Sequence, residues 1–359
     1  MTPLIHTALT ELTGVRHPVV QTGMGWVAGP RLVSAVANAG GLGVLASATM
    51  TTERLASAIG EVRDRTGAPF GVNLRTDAGD AADRVDLLIR EGVKVASFAL
   101  APTQELIVRL KEAGIVVIPS VGARRHAEKV AGWGADAVLV QGGEGGGHTG
   151  AIATTLLLPQ VVDAVDIPVI AAGGFFDGRG LAAALAYGAA GVAMGTRFLL
   201  TSDSSVPDAV KQVYLGTSET VVTRQVDGLP HRVLRTGLID ALETYGRVRR
   251  LAGAVRNAAR FRKLSEMGWR AMVRDGLAMR HGADLSWSQV LMAANTPVLL
   301  RAAMVDGRAD LGVMASGQAV GLIDDLPSCA ELIERIVRQA TEAIGASHGL
   351  VQRDVTGAR

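Results

Sequence analysis

Residues 141–150, QGGEGGGHTG, set six glycines around one carboxylate, Glu144, and one imidazole, His148. Imidazole titrates nearest to neutral pH of the ordinary side chains, so a histidine in such a loop suits the taking and returning of a proton. Glycine lets main chain pass close to a ligand that a Cβ would hold off. Two further glycine-rich stretches follow, AAGGFFDGRG at 171–180 and AMGTRF at 193–198. Their backbone N–H groups, at Gly173, Gly174, Gly195 and Thr196, suit a phosphate. Asn73, Ser120 and Gln141 add neutral hydrogen-bonding groups. Together they suit the polar edge of a flat heterocycle at one end and its phosphate at the other. Such a cofactor carries the chemistry, and the protein supplies orientation. Flavin mononucleotide fits both ends. Glu144 reads better as a loop or cap carboxylate than as a catalytic one, and His231 and His281 as structural or exposed. Trp26 either faces substrate or packs beneath a lid.

Elements must bring these groups together. Eight short apolar runs recur between residues 18 and 196: PVVQTG (18–23), LGVLA (42–46), FGVNLR (70–75), VASFAL (95–100), VVIPSV (116–121), AVLVQG (137–142), PVIAAG (168–173) and GVAMGT (191–196). Most are apolar throughout, as strands covered on both faces are. Amphipathic stretches such as AADRVDLLIREG and PTQELIVRLKEAG separate them and often stop at glycine. Repeated β-then-α units predict an α/β fold, a (β/α)8 barrel of the TIM type with a C-terminal helical lid insertion. An open doubly wound sheet is the alternative. In a barrel the chemistry lies at the C-terminal strand ends. No lysine stands there for a Schiff base, and no Asp, Glu and His cluster is expected to hold a metal.

The predicted division is a cofactor-binding barrel over residues 1–202, a mainly helical and basic lid or substrate region over 203–309, with no convincing buried strand over 203–300, a segment over 310–345 that returns to the barrel, and a flexible tail over 346–359. With 359 residues, 48% of them hydrophobic, the chain has enough material for one large core with an appendage, which excludes a disordered or fibrous protein. The single cysteine, Cys329, excludes an internal disulfide framework and points to a cytoplasmic setting. It is expected in a C-terminal helix as a buried apolar group. No signal peptide and no membrane span are expected. A formal charge of +2 gives no argument for nucleic acid.

These motifs resemble the nitronate monooxygenase family over residues 4 to about 340. QGGEGGGHTG is similar to its Q-G-x-E-A-G-G-H-x-G signature, and PVIAAGGFFDGRGLAAALAYGAAGVAMGTRF to its phosphate-binding half. The resemblance implies FMN in a TIM barrel. It carries flavin contacts onto Met24, Asn73, Gln141, Gly146, Gly174, Gly195 and Thr196, beside Gly173, and the catalytic role onto His148. Gly317 and Gln318 match an element close to the flavin. Gly23 stands where the family has proline, and Gly145 where the signature has alanine. With MGWVAGPRLVSAVANAGGLG, WSQVLMAANTP and DDLPSC, these departures resemble an actinobacterial branch that degrades steroid C and D rings as coenzyme A thioesters. The implied reaction is α,β-dehydrogenation of a bicyclic acyl-CoA, or its reversal. Nitronate oxidation with O2 is the second reading, and an NAD(P)H-dependent enoyl-thioester or quinone reductase the third. A sugar-phosphate isomerase and a non-catalytic flavin carrier are the readings from other classes. The implied partner is a CoA thioester, with NAD(P)H and an oligomeric state left open. Residues 245–282 hold ten Lys and Arg against two acids. This surplus suits either a solvated helix face or, through Arg249, Arg256, Arg260 and Lys263, the phosphates of coenzyme A.

Overall fold

Each of the eight apolar runs forms a parallel strand in the computed structural model, which describes residues 4–76, 78–99, 102–244 and 295–355. The strands are β1 (Val19–Gln21), β2 (Leu42–Ala46), β3 (Phe70–Leu74), β4 (Val95–Phe98), β5 (Val116–Val121), β6 (Val138–Gln141), β8 (Val169–Ala172) and β9 (Gly191–Met194). β7 (Gly147–His148) is a two-residue strand in the loop after β6. The barrel order is β1-β2-β3-β4-β5-β6-β8-β9, and Val19↔Val192, Val20↔Ala193 and Gln21↔Met194 close it. That pairing excludes the open doubly wound sheet.

The first seven units carry helices α2 (Pro30–Asn38), α3 (Thr52–Arg63), α4 (Ala81–Arg90), α5 (Gln104–Glu112), α6 (Arg124–Gly132), α7 (Thr154–Val162) and α8 (Gly178–Ala186), after a short α1 (Ala8–Thr13). Local chemistry sets several of their starts. Thr51, Thr103 and Asp177 each accept an N–H from the first turn of α3, α5 and α8. Inside the barrel, Val20, Leu42, Val44, Val95, Ile118, Leu139 and Ile170 interlock. Leu9 of α1 packs with them, and the Thr7 hydroxyl donates to the Ala190 carbonyl at 2.6 Å. The N-terminal mouth is thus plugged and the C-terminal mouth is left for function.

After β9 the chain forms α9 (Thr196–Leu199), α10 (Asp208–Leu215), β10 (Thr220–Thr223), β11 (His231–Leu234), α11 (Gly237–Thr244), α12 (Asn295–Met304), a 3-10 turn (Gln318–Leu322) and α13 (Cys329–Val355). Two of these correct the expectation that 203–300 holds no buried strand. β10 and β11 pair antiparallel, and β11 also pairs with β7. Both are four residues long, and β10 is only half-buried, so neither shows the all-apolar pattern of a barrel strand. The expected basic lid helix, with Arg249, Arg256, Arg260 and Lys263, lies outside the described residues.

α13 packs on α8 and α2 and so occupies the position of the eighth barrel helix. Its Leu332, Ile333, Ile336 and Val337 join the same core as Leu32, Val36 and Leu181. The approach to α8 is so close that a Cβ on Gly178 would stand 2.2 Å from the Ile336 carbonyl oxygen. The helix runs through residue 346, where the sequence suggests that a flexible tail begins.

Candidate active site

The C-terminal strand ends surround a cavity of about 350 Å³, the size of a cofactor or small-ligand pocket. Its floor is apolar, from Val20, Val44, Val95, Ile118, Leu139 and Ile170. Met24, Asn73, Gln141, Gly146, His148, Gly173, Gly174, Gly195 and Thr196 all line its wall, as do Ser97 and Ser120. Gln318 does not: its side chain is exposed, and its N–H donates to the Glu144 carbonyl at 2.9 Å. Its neighbours Gly317 and Ala319 reach the cavity instead.

The two amides are held by local contacts. Asn73 Nδ2 donates to Ser97 Oγ at 3.2 Å, and Gln141 Nε2 donates to the His148 carbonyl at 2.8 Å. Both departures from the family pattern pack against them. A Cβ on Gly23 would stand 2.4 Å from Asn73 Cβ, and one on Gly145 would stand 2.7 Å from Gln141 Nε2. At the opposite wall Gly173 and Gly174 have φ of +95° and +86°, a left-handed pair that only glycine adopts without strain. Thr196 Oγ1 accepts the Gly317 N–H at 2.9 Å, which ties the 316–318 segment to the end of β9.

The loop after β6 separates its two reactive groups. The Glu144 carboxylate accepts the Thr154 N–H at 2.9 Å and its hydroxyl at 2.7 Å, so it caps α7. This is the cap role read from the sequence, and it stabilises the helix by about 1 kcal/mol. His148 instead sits on β7, where pairing with β11 sets it opposite His231. Its Nε2 lies 2.7 Å from Asp227 Oδ2. The Thr296 hydroxyl donates to the same oxygen at 2.7 Å, and the Leu229 N–H donates to Oδ1 at 3.1 Å. His231 Nδ1 stands 3.6 Å from Oδ2, too long for a hydrogen bond, and its ring centroid is 4.7 Å from that of His148.

Asp227 is buried while His148 is 53% exposed, so the pair has one dry end and one end at the cavity. Burial alone would raise the Asp227 carboxyl, but the His148 hydrogen bond and the nearby His231 imidazole outweigh it and hold the group far below the ordinary carboxylate range. His231 is pushed below its ordinary value, chiefly by burial, and is neutral at neutral pH.

This cluster corrects one expectation and narrows another. An Asp and His group does form: the ligand-type atoms of His148, Asp227 and His231 all lie within 4.8 Å of one another. The 2.7 Å contact between Nε2 and Oδ2 is a direct hydrogen bond. His231, read as structural or exposed, is buried and also lines the cavity. Asp227 and Thr296 went unmarked because β10, β11 and α12 bring them to His148 from 79 and 148 residues away. The one local signal, an acid four residues before a histidine in VDGLPH, does not by itself place either beside His148.

Trp26 does not line the cavity. Its indole N–H donates to the Pro297 carbonyl at 2.8 Å, and the Arg301 guanidinium lies 5.2 Å from its ring centroid, so it packs beneath α12. Cys329 is buried at the start of α13, and burial first, then Asp203, pushes its thiol up to about 12, which leaves it unreactive.

The sequence matches the nitronate monooxygenase family over residues 6–86 and 81–339. A protein of Mycobacterium tuberculosis is 69% identical over 353 residues, covering 97% of this chain and 99% of that one. One of Rhodococcus jostii is 66% identical over 344 residues, covering 95% and 98%. Both are named (3aS,4S,5R,7aS)-5-hydroxy-7a-methyl-1-oxo-octahydro-1H-indene-4-carboxyl-CoA dehydrogenase. Among solved structures, FabK from Thermotoga maritima shares 35% identity at a TM-score of 0.79, covering 96% of this chain and 99% of that one. Nitroalkane oxidase from Streptomyces ansochromogenes shares 30% at 0.74, covering 95% and 99%. With the barrel, the glycine loops and the histidine in place, the chain belongs to the nitronate monooxygenase family.

Proposed function

We propose that this protein is an FMN-dependent dehydrogenase of a bicyclic, steroid-derived acyl-CoA thioester, removing hydrogen from the carbons α and β to the thioester. The observation that carries the reading is His148, the exposed titratable group of a cavity whose other lining histidine, His231, is held neutral by burial, in a chain 69% identical to a named hydrindane carboxyl-CoA dehydrogenase. The donor set fits the cofactor. Gly173, Gly174, Gly195 and Thr196 offer main chain to a phosphate, and a left-handed glycine pair keeps side chains clear of it. Asn73 and Gln141 meet the polar edge of the ring system, and Met24 and Gly146 its faces. When bound, the flavin supplies a hydride acceptor.

The protein's own part is to bind, orient and move a proton. A thioester carbonyl acidifies its α-carbon, and His148 takes that proton. The apolar floor keeps water from the reacting carbons. The basic residues Arg249, Arg256, Arg260 and Lys263 are proposed to bind the phosphates of coenzyme A. The buried, unreactive Cys329 suits a cytoplasmic setting.

A nitroalkane has a similarly acidified α-carbon, and the family match supports oxidation of its anion, the nitronate, as the second reading. Anaerobic mixing separates the two. A hydrindane carboxyl-CoA thioester is expected to bleach the flavin, and alkyl nitronates to do so slowly or not at all. Bleaching by nitronates with none by any thioester would overturn the first reading. Mass spectrometry of the flavin released by acid identifies it as FMN or as another flavin.

A further inference from the structure

Asp227 is a buried carboxylate with no Lys or Arg paired to it among the described residues. Its partners are the His148 ring, the Thr296 hydroxyl, the Leu229 N–H and, at 3.6 Å, the His231 ring. The nearest guanidinium on the same sheet, that of Arg232, is spent on the Gly143 carbonyl and the Thr220 hydroxyl, and Glu144 is turned to the α7 N-terminus. Burial keeps His231 neutral. A buried anion of this kind lacks a counter-charge until a neighbour becomes a cation, and His148 is the group placed to do so.

We propose that Asp227 is the positioning residue for His148. The ionised carboxylate accepts the Nε2–H of a neutral imidazole. That fixes the tautomer and leaves Nδ1, with its lone pair, as the ring nitrogen available to the cavity. When Nδ1 takes the α-proton of a bound thioester, the imidazolium and the carboxylate become the ion pair that the buried site lacked. The proton moves from carbon to Nδ1, the electron pair of the C–H bond passes into the thioester enolate, and Asp227 stays ionised throughout. The same carboxylate oxygen holds Thr296, in the first turn of α12, so that helix and the β6 loop meet on one atom.

This rests on the reading of His148 as the base, and the test separates the two. The flavin-loaded protein is compared with its Asp227→Asn, Asp227→Ala and His148→Ala variants. In the native protein a far-downfield imidazole N–H resonance is expected in one-dimensional proton NMR, absent from all three variants. Asp227→Asn is expected to keep its flavin, to hold its KM for thioester within about threefold, and to lose about 10²-fold in kcat. The ascending limb of kcat/KM should move to lower pH, because the imidazolium has lost its carboxylate. A native rate at every pH, or a parallel loss of flavin content and substrate affinity with the pH profile unmoved, would overturn the proposal. So would loss of activity on treatment with EDTA and its return with Zn²⁺, since the carboxylate would then be a metal ligand. If no thioester reduces the native flavin, the functional reading falls, and dependence of the N–H resonance on Asp227 still decides the pairing.

Discussion

His148 and Glu144, four residues apart, do unlike work because of what each touches. Glu144 is used up in capping α7, whereas His148 is held through Nε2 by Asp227 and lines the cavity. Replacing His148 with alanine is therefore expected to leave flavin absorbance intact and to lower turnover on the order of 10²-fold or more. Near-native turnover across the pH range would remove it from the chemistry. The neighbouring His231 governs stability instead. The folded protein keeps it neutral, while the unfolded chain takes up a proton near its ordinary value of 6.5, so falling pH favours unfolding. The stability it contributes is full above about pH 6.5 and declines below it. Thermal melts from about pH 7 down to about pH 5 should show Tm falling, with a shallower fall in a His231→Gln variant. Equal slopes would mean that the burial of His231 has no such cost. At this scale the glycine loop after β6 announced His148, Gln141 and the cap, and the end of an apolar run announced Asn73. Asp227 stayed hidden because its approach depends on how β11 pairs with β7, which no spacing along the chain encodes.

The strands were legible because each had to be apolar on both faces, and LGVLA and VVIPSV match β2 and β5 residue for residue. β10 and β11 were not, since a short, partly exposed pair lacks that signature. The turns between strand and helix were legible from glycine. Their use can be tested in the loop after β8, where Gly174 has φ +86° and a Cβ would touch Glu144 Cβ at 3.4 Å. Gly174→Asp sets a carboxylate where an anion is proposed to bind, on a backbone that resists any side chain. Purified variant should be colourless, with a circular dichroism spectrum like that of the native protein. A yellow variant of normal flavin content would move the phosphate site elsewhere.

Charge is unevenly shared across the whole molecule: residues 245–282 carry a surplus of eight positive charges in a chain whose total is +2. Replacing Arg256 and Arg260 with glutamate should raise the KM for acyl-CoA steeply. The effect should be largest at low salt, with flavin content and any activity on small nitronates unchanged. Equal loss on both substrates would make the segment structural, and no loss on either would leave it as solvated surface. Barrel closure itself was not legible. Eight βα units are compatible with an open sheet until β1 is seen to pair with β9.

The eighth helix of the barrel begins more than a hundred residues after the strand it serves. A nascent chain leaving the ribosome can therefore form every barrel strand while the seam between α2 and α8 stays bare. Leu32, Val36 and Leu181 remain uncovered until residues 329–340 emerge, and Leu332, Ile333, Ile336 and Val337 then add about 2 kcal/mol each as they bury. The cavity-bearing barrel becomes durable only after everything between β9 and α13 has been made.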